Sequence, residues 1–220
     1  MPAVSEYRGF IFDYGGVLVH DQSEEDQARM AELAGIPVED FTELYWADRA
    51  EYDKAQLSAD EYWHALARKA GKFLNDGIIA ELTELDNQSW MRFDSVMWEW
   101  LDQLHGAGKR IAMLSNMPRD LGEALKSRTD RLQIFDYVTL SYEVRAIKPE
   151  PAIYEHCLEG LATEPQETLF LDDRIANVQG AELLGIPGVH FTSRDEVLLR
   201  LGAPLDALRD SLQRSESASQ

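Results

Sequence analysis

A single cysteine, Cys157, is all the thiol that this 220-residue chain contains. An intrachain disulfide framework is therefore excluded, and the usage fits a reducing compartment. Cys157 recurs with Ile153 and Leu161 at helical spacing, which predicts a packed position rather than a reactive one. Long apolar runs are missing too, since none approaches the roughly 20 residues of a membrane-spanning helix. Met1 to Arg8 has neither a cationic segment nor an apolar signal core, so a cytoplasmic location is expected. Basic residues are scarce: 21 Lys and Arg stand against 40 Asp and Glu, for a formal net charge of -19. That balance argues against nucleic acid and anionic membranes as partners, because both demand a basic face. What remains is globular, with 45% hydrophobic and 10% aromatic residues, enough for one large domain or a core with an insertion. Whether it is a monomer or a homodimer stays open; five tryptophans leave room for an apolar contact patch.

Three apolar runs end in polar residues. Phe10-Ile11-Phe12 leads into Asp13-Tyr14-Gly15-Gly16, Ile111 to Leu114 into Ser115-Asn116, and Leu169 to Leu171 into Asp172-Asp173. A carboxylate at the C-terminal end of a buried strand lies where open α/β sheets do their chemistry. Strands are expected at Gly9–Asp13, Arg110–Ser115, Tyr137–Leu140, Thr168–Asp172 and Gly188–Phe191, with helices between the later ones. This alternation predicts an α/β fold with a doubly wound, mainly parallel Rossmann-like sheet and helices on both faces. Val96, Trp100, Leu101 and Leu104 mark one helix, stopped by Gly106 and Gly108; Ala176, Ala181 and Leu184 mark another, ending at Gly185.

The first two strands are separated by about a hundred residues, too many for one crossover helix. Ser58-Ala59-Asp60-Glu61 is a capping box opening a helix with Tyr62, Trp63, Leu66 and Ala67, and two further helices are marked by Phe41, Leu44 and Tyr45 and by Ile78, Leu82 and Leu85. Residues 19–91 are thus expected to form a small all-helical cap inserted over Asp13. Residues 1–18 and 92–212 would form the core, and the polar 213–220 a frayed tail.

An aspartate nucleophile, a lone cation at Lys148 before Pro149, and a carboxylate pair suit phosphoryl transfer. A carboxylate can attack phosphorus and form an acyl phosphate that water then cleaves. Mg2+, which takes one or two carboxylates plus the substrate phosphate, would neutralise the acidic cluster. Charge repulsion over the whole surface is screened beyond about 8–10 Å, so only the local balance matters. Each residue has a structural rival: Ser115 as a cap of the next turn, Lys148 as an exposed loop cation, and Asp172-Asp173 as the N-cap of the following helix.

Taken in order, Asp13 to Val17, Ser115-Asn116, Lys148-Pro149-Glu150, and Asp172-Asp173 with Asn177 resemble the motifs of the haloacid dehalogenase-like (HAD) hydrolase superfamily. The resemblance covers nearly the whole chain, with the cap in the first insertion position. Leu140-Ser141 and Ile153-Tyr154 beside the third motif look like its sugar-phosphatase and epoxide-hydrolase-phosphatase-like branch. It implies a Mg2+-dependent phosphatase acting on a small phosphorylated metabolite, a sugar phosphate among the candidates, through an aspartyl phosphate on Asp13. It further implies Ser115 and Asn116 as phosphate-binding residues, Lys148 as the charge clamp, and Asp13, the Gly15 carbonyl and Asp173 as metal ligands. Asp172 would act through water, with Asn177 anchoring it.

Gly15 departs from the family pattern, whose phosphatases usually place a second Asp there as general acid and base, a role worth about 10²–10⁴-fold in rate. Some members with Gly at this position are nevertheless phosphatases. His20 and Asp21 at the root of the cap are candidate substitutes. Gly15 also admits two alternatives: a metal-independent 2-haloacid dehalogenase, or a catalytically impaired binding protein. In the cap, Tyr45, Trp46, Arg49 and Tyr52 are candidates either for contact with the leaving group or for the cap's own core. His64, His105, His156 and His190 follow packing or surface patterns.

Overall fold

The computed structural model describes residues 4–201, so the expected tail and the last part of the expected core lie outside the described residues. β1 (Gly9–Phe12) leads into five helices: α1 (Glu24–Ala34), α2 (Val38–Ala47), α3 (Arg49–Asp53), α4 (Ala59–Lys69) and α5 (Asp76–Ser89). The chain returns through α6 (Ser95–Gly106) to β2 (Arg110–Ser115), then runs through α7 (Arg119–Arg128), β3 (Tyr137–Leu140), α8 (Ser141–Val144) and α9 (Pro151–Leu161). It finishes with β4 (Thr168–Asp172), α10 (Ile175–Leu183), β5 (Gly188–His190) and α11 (Arg194–Leu201). Among these described helices none is long and apolar enough to cross a membrane.

The five strands form one parallel sheet in the order β3-β2-β1-β4-β5. Strand alternation sends Phe10, Phe12, Ile111, Met113, Leu169 and Leu171 to one face, where α6 supplies Trp100, Leu101 and Leu104. Ile11, Ala112, Leu114 and Phe170 point to the other, against Ile153, Tyr154, Cys157 and Leu161 of α9. Burial on both faces is why these strands read as unbroken apolar runs. Cys157 is buried where its spacing placed it, and its thiol is pushed up to about 12 by that burial. The order of the strands reverses between β1 and β4, so the switch-point crevice opens beside Asp13 and Asp172.

Two strands stop one residue short of expectation, at Phe12 and His190. Pairing nonetheless continues for one more bond, with Asp13 N–H donating to Leu171 O (2.9 Å) and Phe191 N–H to Asp172 O (2.9 Å). Asp13 is therefore held by the ladder while its backbone already turns. Glycine is required at Gly16, which has φ +66° and where a Cβ would come within 3.1 Å of the Asp173 carboxyl carbon.

Helices α1 to α5 bury their own cluster, including Met30, Phe41, Tyr45, Tyr62, Trp63, Leu66 and Leu82. The capping box of Ser58 and Glu61 opens α4 as expected. A second one, Ser23 with Asp26, opens α1. It was harder to read because Asp replaces the usual Glu or Gln at the third position. The insertion is tied to the sheet domain by Ser141 Oγ donating to Asp53 O (2.6 Å), Tyr52 Oη to Asp120 (3.1 Å), Lys54 to Glu150 (3.1 Å), and Arg128 to both oxygens of Glu84.

Candidate active site

At the carboxyl ends of β1, β2 and β4 lies a cavity of about 580 Å³, lined by Asp13, Gly15, Ser115, Asn116, Lys148, Asp173 and Asn177 among others. Such a volume suits a small-molecule site. Lys148 is buried, not a loop cation in solvent. Its Nζ lies 2.7 Å from Asp13 Oδ1 and 2.7 Å from Asp172 Oδ2, and donates to Leu114 O at 3.0 Å. All three ammonium protons are thereby directed. Asn116 uses both ends of its amide on the Lys148 backbone, accepting from Lys148 N–H (2.8 Å) and donating to Lys148 O (3.1 Å). Its contacts thus fix the position of Lys148, and it also lines the cavity, where the sequence expected it to meet substrate.

The two aspartates after β4 differ. Asp172 is fully buried and accepts from Lys148, from Arg174 N–H (2.8 Å) and from Asn177 Nδ2 at both oxygens (2.9 and 3.1 Å). Asp173 lines the cavity, while His190 Nε2 sits 2.9 Å from its carbonyl oxygen. Neither caps α10 with a side chain at the helix's own N-cap position, which Arg174 occupies without a side-chain bond. Nor does Ser115 cap α7, which starts after Pro118 without side-chain help. Carboxylate oxygens of Asp13, Asp172 and Asp173 all fall within 4.8 Å of one another.

Electrostatics follow from this crowding. Burial raises the Asp13 carboxyl well above its ordinary range, Asp172 adds to the effect, and Lys148 opposes it. Burial acts likewise on Asp172, but Lys148, the Arg174 N–H and the bond with Asp13 outweigh it and hold that group low. Asp173 is raised to about 6 by burial and by Asp172. Lys148 is raised despite its burial, because Asp13 and Asp172 favour the ammonium.

The insertion supplies Asp21, Trp46, Arg49, Ala50, Asp53 and Trp90 to the same cavity. Of the four aromatic and cationic candidates, Trp46 and Arg49 reach it, whereas Tyr45 and Tyr52 pack into the insertion's interior, stacked or edge-on against Tyr62. Arg49 is itself buried, with Nε on Asp53 (2.9 Å) and Nη1 on Asp86 (3.1 Å) and on Tyr45 Oη. Asp21 borders the cavity and His20 is exposed away from it. The sequence reading did not single out Asp53, Trp90 or Arg174. The first two sit on helix ends whose orientation follows from packing, and only the Arg174 position, directly after the carboxylate pair, was within reach of inspection.

A buried aspartate at the end of the central strand, bonded to a buried lysine and flanked by two more aspartates, thus lies in an acidic pocket at the switch point of an α/β sheet. The family model for haloacid dehalogenase-like hydrolases matches residues 7–185. The chain belongs to that family and is a hydrolase. Among curated relatives it is similar to the sesquiterpene phosphatase astK of Aspergillus oryzae, 27% identical over 84% of this chain and 90% of that protein. It is also similar to the D-ribitol-5-phosphate phosphatase of Bacteroides thetaiotaomicron, 27% identical over 81% of this chain and 88% of that protein. Among solved structures, a HAD family enzyme of Bacteroides thetaiotaomicron in complex with magnesium and inorganic phosphate shares the fold. Its TM-score is 0.68 at 22% identity, over 83% of this chain and 93% of that one.

Proposed function

We propose that this chain is a Mg2+-dependent phosphatase that hydrolyses a small phosphorylated metabolite through an aspartyl phosphate on Asp13, with helices α1 to α5 acting as a cap. The observation that carries this reading is the charge balance of one buried lysine among three converging carboxylates. Fully ionised, that cluster holds two negative charges in excess, which a divalent cation offsets. Its donors are hard carboxylate oxygens, as Mg2+ prefers. Asp13 and Asp173 face the cavity and would hold the ion directly, with the Gly15 carbonyl. Asp172, already accepting from Lys148, Arg174 and Asn177, would reach it through water.

When bound, the ion would neutralise phosphate oxygens and favour ionised Asp13. Asp13 attacks phosphorus as the ester P–O bond breaks and the alcohol leaves, taking a proton from water. A second water then cleaves the aspartyl phosphate, releasing inorganic phosphate and restoring the carboxylate. Lys148 offsets charge on the phosphoryl oxygens, and Ser115 donates to one of them. The insertion shields the cavity from bulk water. The phosphatase relatives support the reaction class. Halide displacement, the dehalogenase alternative, needs no divalent cation and would leave Asp173, which unlike Asp172 does not hold Lys148, without a task.

The test is phosphate release from p-nitrophenyl phosphate with Mg2+ or with EDTA, alongside chloride release from 2-chloropropionate. Turnover should require Mg2+, and Asp13→Asn should lower it at least about a thousandfold without loss of fold. Undiminished turnover by that variant refutes the mechanism. Chloride release without metal would favour the dehalogenase, and tight phosphate binding without turnover the impaired binding protein.

A further inference from the structure

Resting on the phosphatase reading, we propose that the alcohol half of the substrate is apolar, an alkyl or aryl group rather than a sugar or polyol, and that Trp46 and Trp90 select it. Trp90 stands at the end of α5, where the insertion hands the chain back to the sheet domain. A Cβ placed on Gly15 would lie 3.2 Å from Trp90 Cζ3, so the indole already occupies the space into which a side chain at position 15 would project. The residue is fixed at two points, one on its ring and one on its backbone. Its Nε1 donates to Tyr45 Oη (3.2 Å), and the Trp90 carbonyl accepts from Tyr14 Oη (2.7 Å). Two residues along from the nucleophile, the cavity therefore presents an aromatic ring in place of an acid.

The rest of the wall agrees. Trp46 is 48% exposed, unusual for so large an apolar side chain, and it borders the cavity with Ala50, Met117 and Leu121. The polar groups in that wall are committed elsewhere: Arg49 to Asp53 and Asp86, Asn116 to the Lys148 backbone. Asp21 and Arg174 also border the cavity but are exposed, so a sugar hydroxyl there would only replace water at little net gain. An alkyl chain instead gains by covering the Trp46 and Trp90 rings, which a polyol covers less well. Glycine at position 15 and tryptophan at position 90 thus form one device, exchanging an acid for apolar contact surface.

The experiment compares Mg2+-dependent kcat/KM for butyl, hexyl and octyl phosphate with that for glucose 6-phosphate and glycerol 3-phosphate, with p-nitrophenyl phosphate as control. Specificity should climb by roughly fourfold per added methylene until the cavity is filled. Trp46→Ala should lower the octyl-to-butyl ratio about tenfold; Trp46 is half exposed, so that variant should fold. In a binding readout free of turnover, tryptophan fluorescence should report octylphosphonate binding at least tenfold tighter than methylphosphonate. Faster turnover of the sugar phosphate, or equal phosphonate affinities, with p-nitrophenyl phosphate hydrolysis intact, overturns the apolar assignment and leaves the phosphatase standing. No phosphate release from any ester removes both.

Discussion

Lys148 in the sheet domain and Arg49 in the helical insertion are both buried cations held between two aspartates. Around Arg49 the polar groups close on one another. Tyr45 Oη donates to Asp86 Oδ1 (2.6 Å), and Gln22 Nε2 reaches Asp86 (2.9 Å) and Ser89 Oγ (2.8 Å). Around Lys148 the circuit stays open, because Asp13 and Asp173 keep carboxylate surface toward a cavity. The first network holds the insertion together with one face on the cavity, and the second presents its negative charge to that cavity. Burial of an ion pair therefore says little about function; what matters is whether every acceptor is satisfied from within.

That contrast can be broken most forcefully by removing each cation. Lys148→Met and Arg49→Met should each destabilise by about 3–5 kcal/mol in EDTA, measured by urea unfolding, since both strand buried carboxylates. Only Arg49→Met should still release phosphate well below its melting temperature; equal loss in both would erase the distinction. Next comes pH. Burial raises Asp53 to about 6, Arg49 opposing, against an unfolded value of about 4. Because the folded state holds its proton more tightly, the associated stability is present below pH 4 and is lost as pH rises to about 6. It amounts to at most about 3 kcal/mol. Asp53→Asn should flatten unfolding free energy across that window, and an unchanged slope would contradict the assignment.

Metal should discriminate the two clusters further. Mg2+ at a hundred times its dissociation constant should stabilise the protein by about 2.7 kcal/mol. Thermal denaturation should show that gain in Asp53→Asn and not in Asp173→Asn. The smallest effect concerns the seam between the regions. Gly15→Asp should cost about 1–3 kcal/mol by crowding Trp90. A double-mutant cycle with Trp90→Ala should recover part of it, and strict additivity would mean that the two sites do not touch.

Much of the sheet domain was legible along the chain. Asp13, Ser115 and Asp172 each end a run buried on both faces, and in a parallel sheet such ends gather at one edge. Lys148 was legible only as a motif, since a lysine before a proline carries no periodicity to fix its direction. The difference in bonding between Asp172 and Asp173 became visible through Asn177 and Arg174. In the insertion α2, α4 and α5 were readable from capping and spacing; α1, α3 and the partnership of Arg49 with Asp86, 37 residues away, were not.

Local chain chemistry settled the strands, several of the helices and the order of the acidic and basic residues, because hydrophobic periodicity and turn-forming residues act over a few positions. The tertiary structure alone decided that the Trp90 ring fills the space beside Gly15, that Asn116 serves Lys148, and that Trp46 faces the cavity while Tyr45 and Tyr52 do not. Those outcomes depend on contacts between segments, within the sheet domain for Asn116 and between it and the insertion for the tryptophans, whose separation in sequence leaves no local trace.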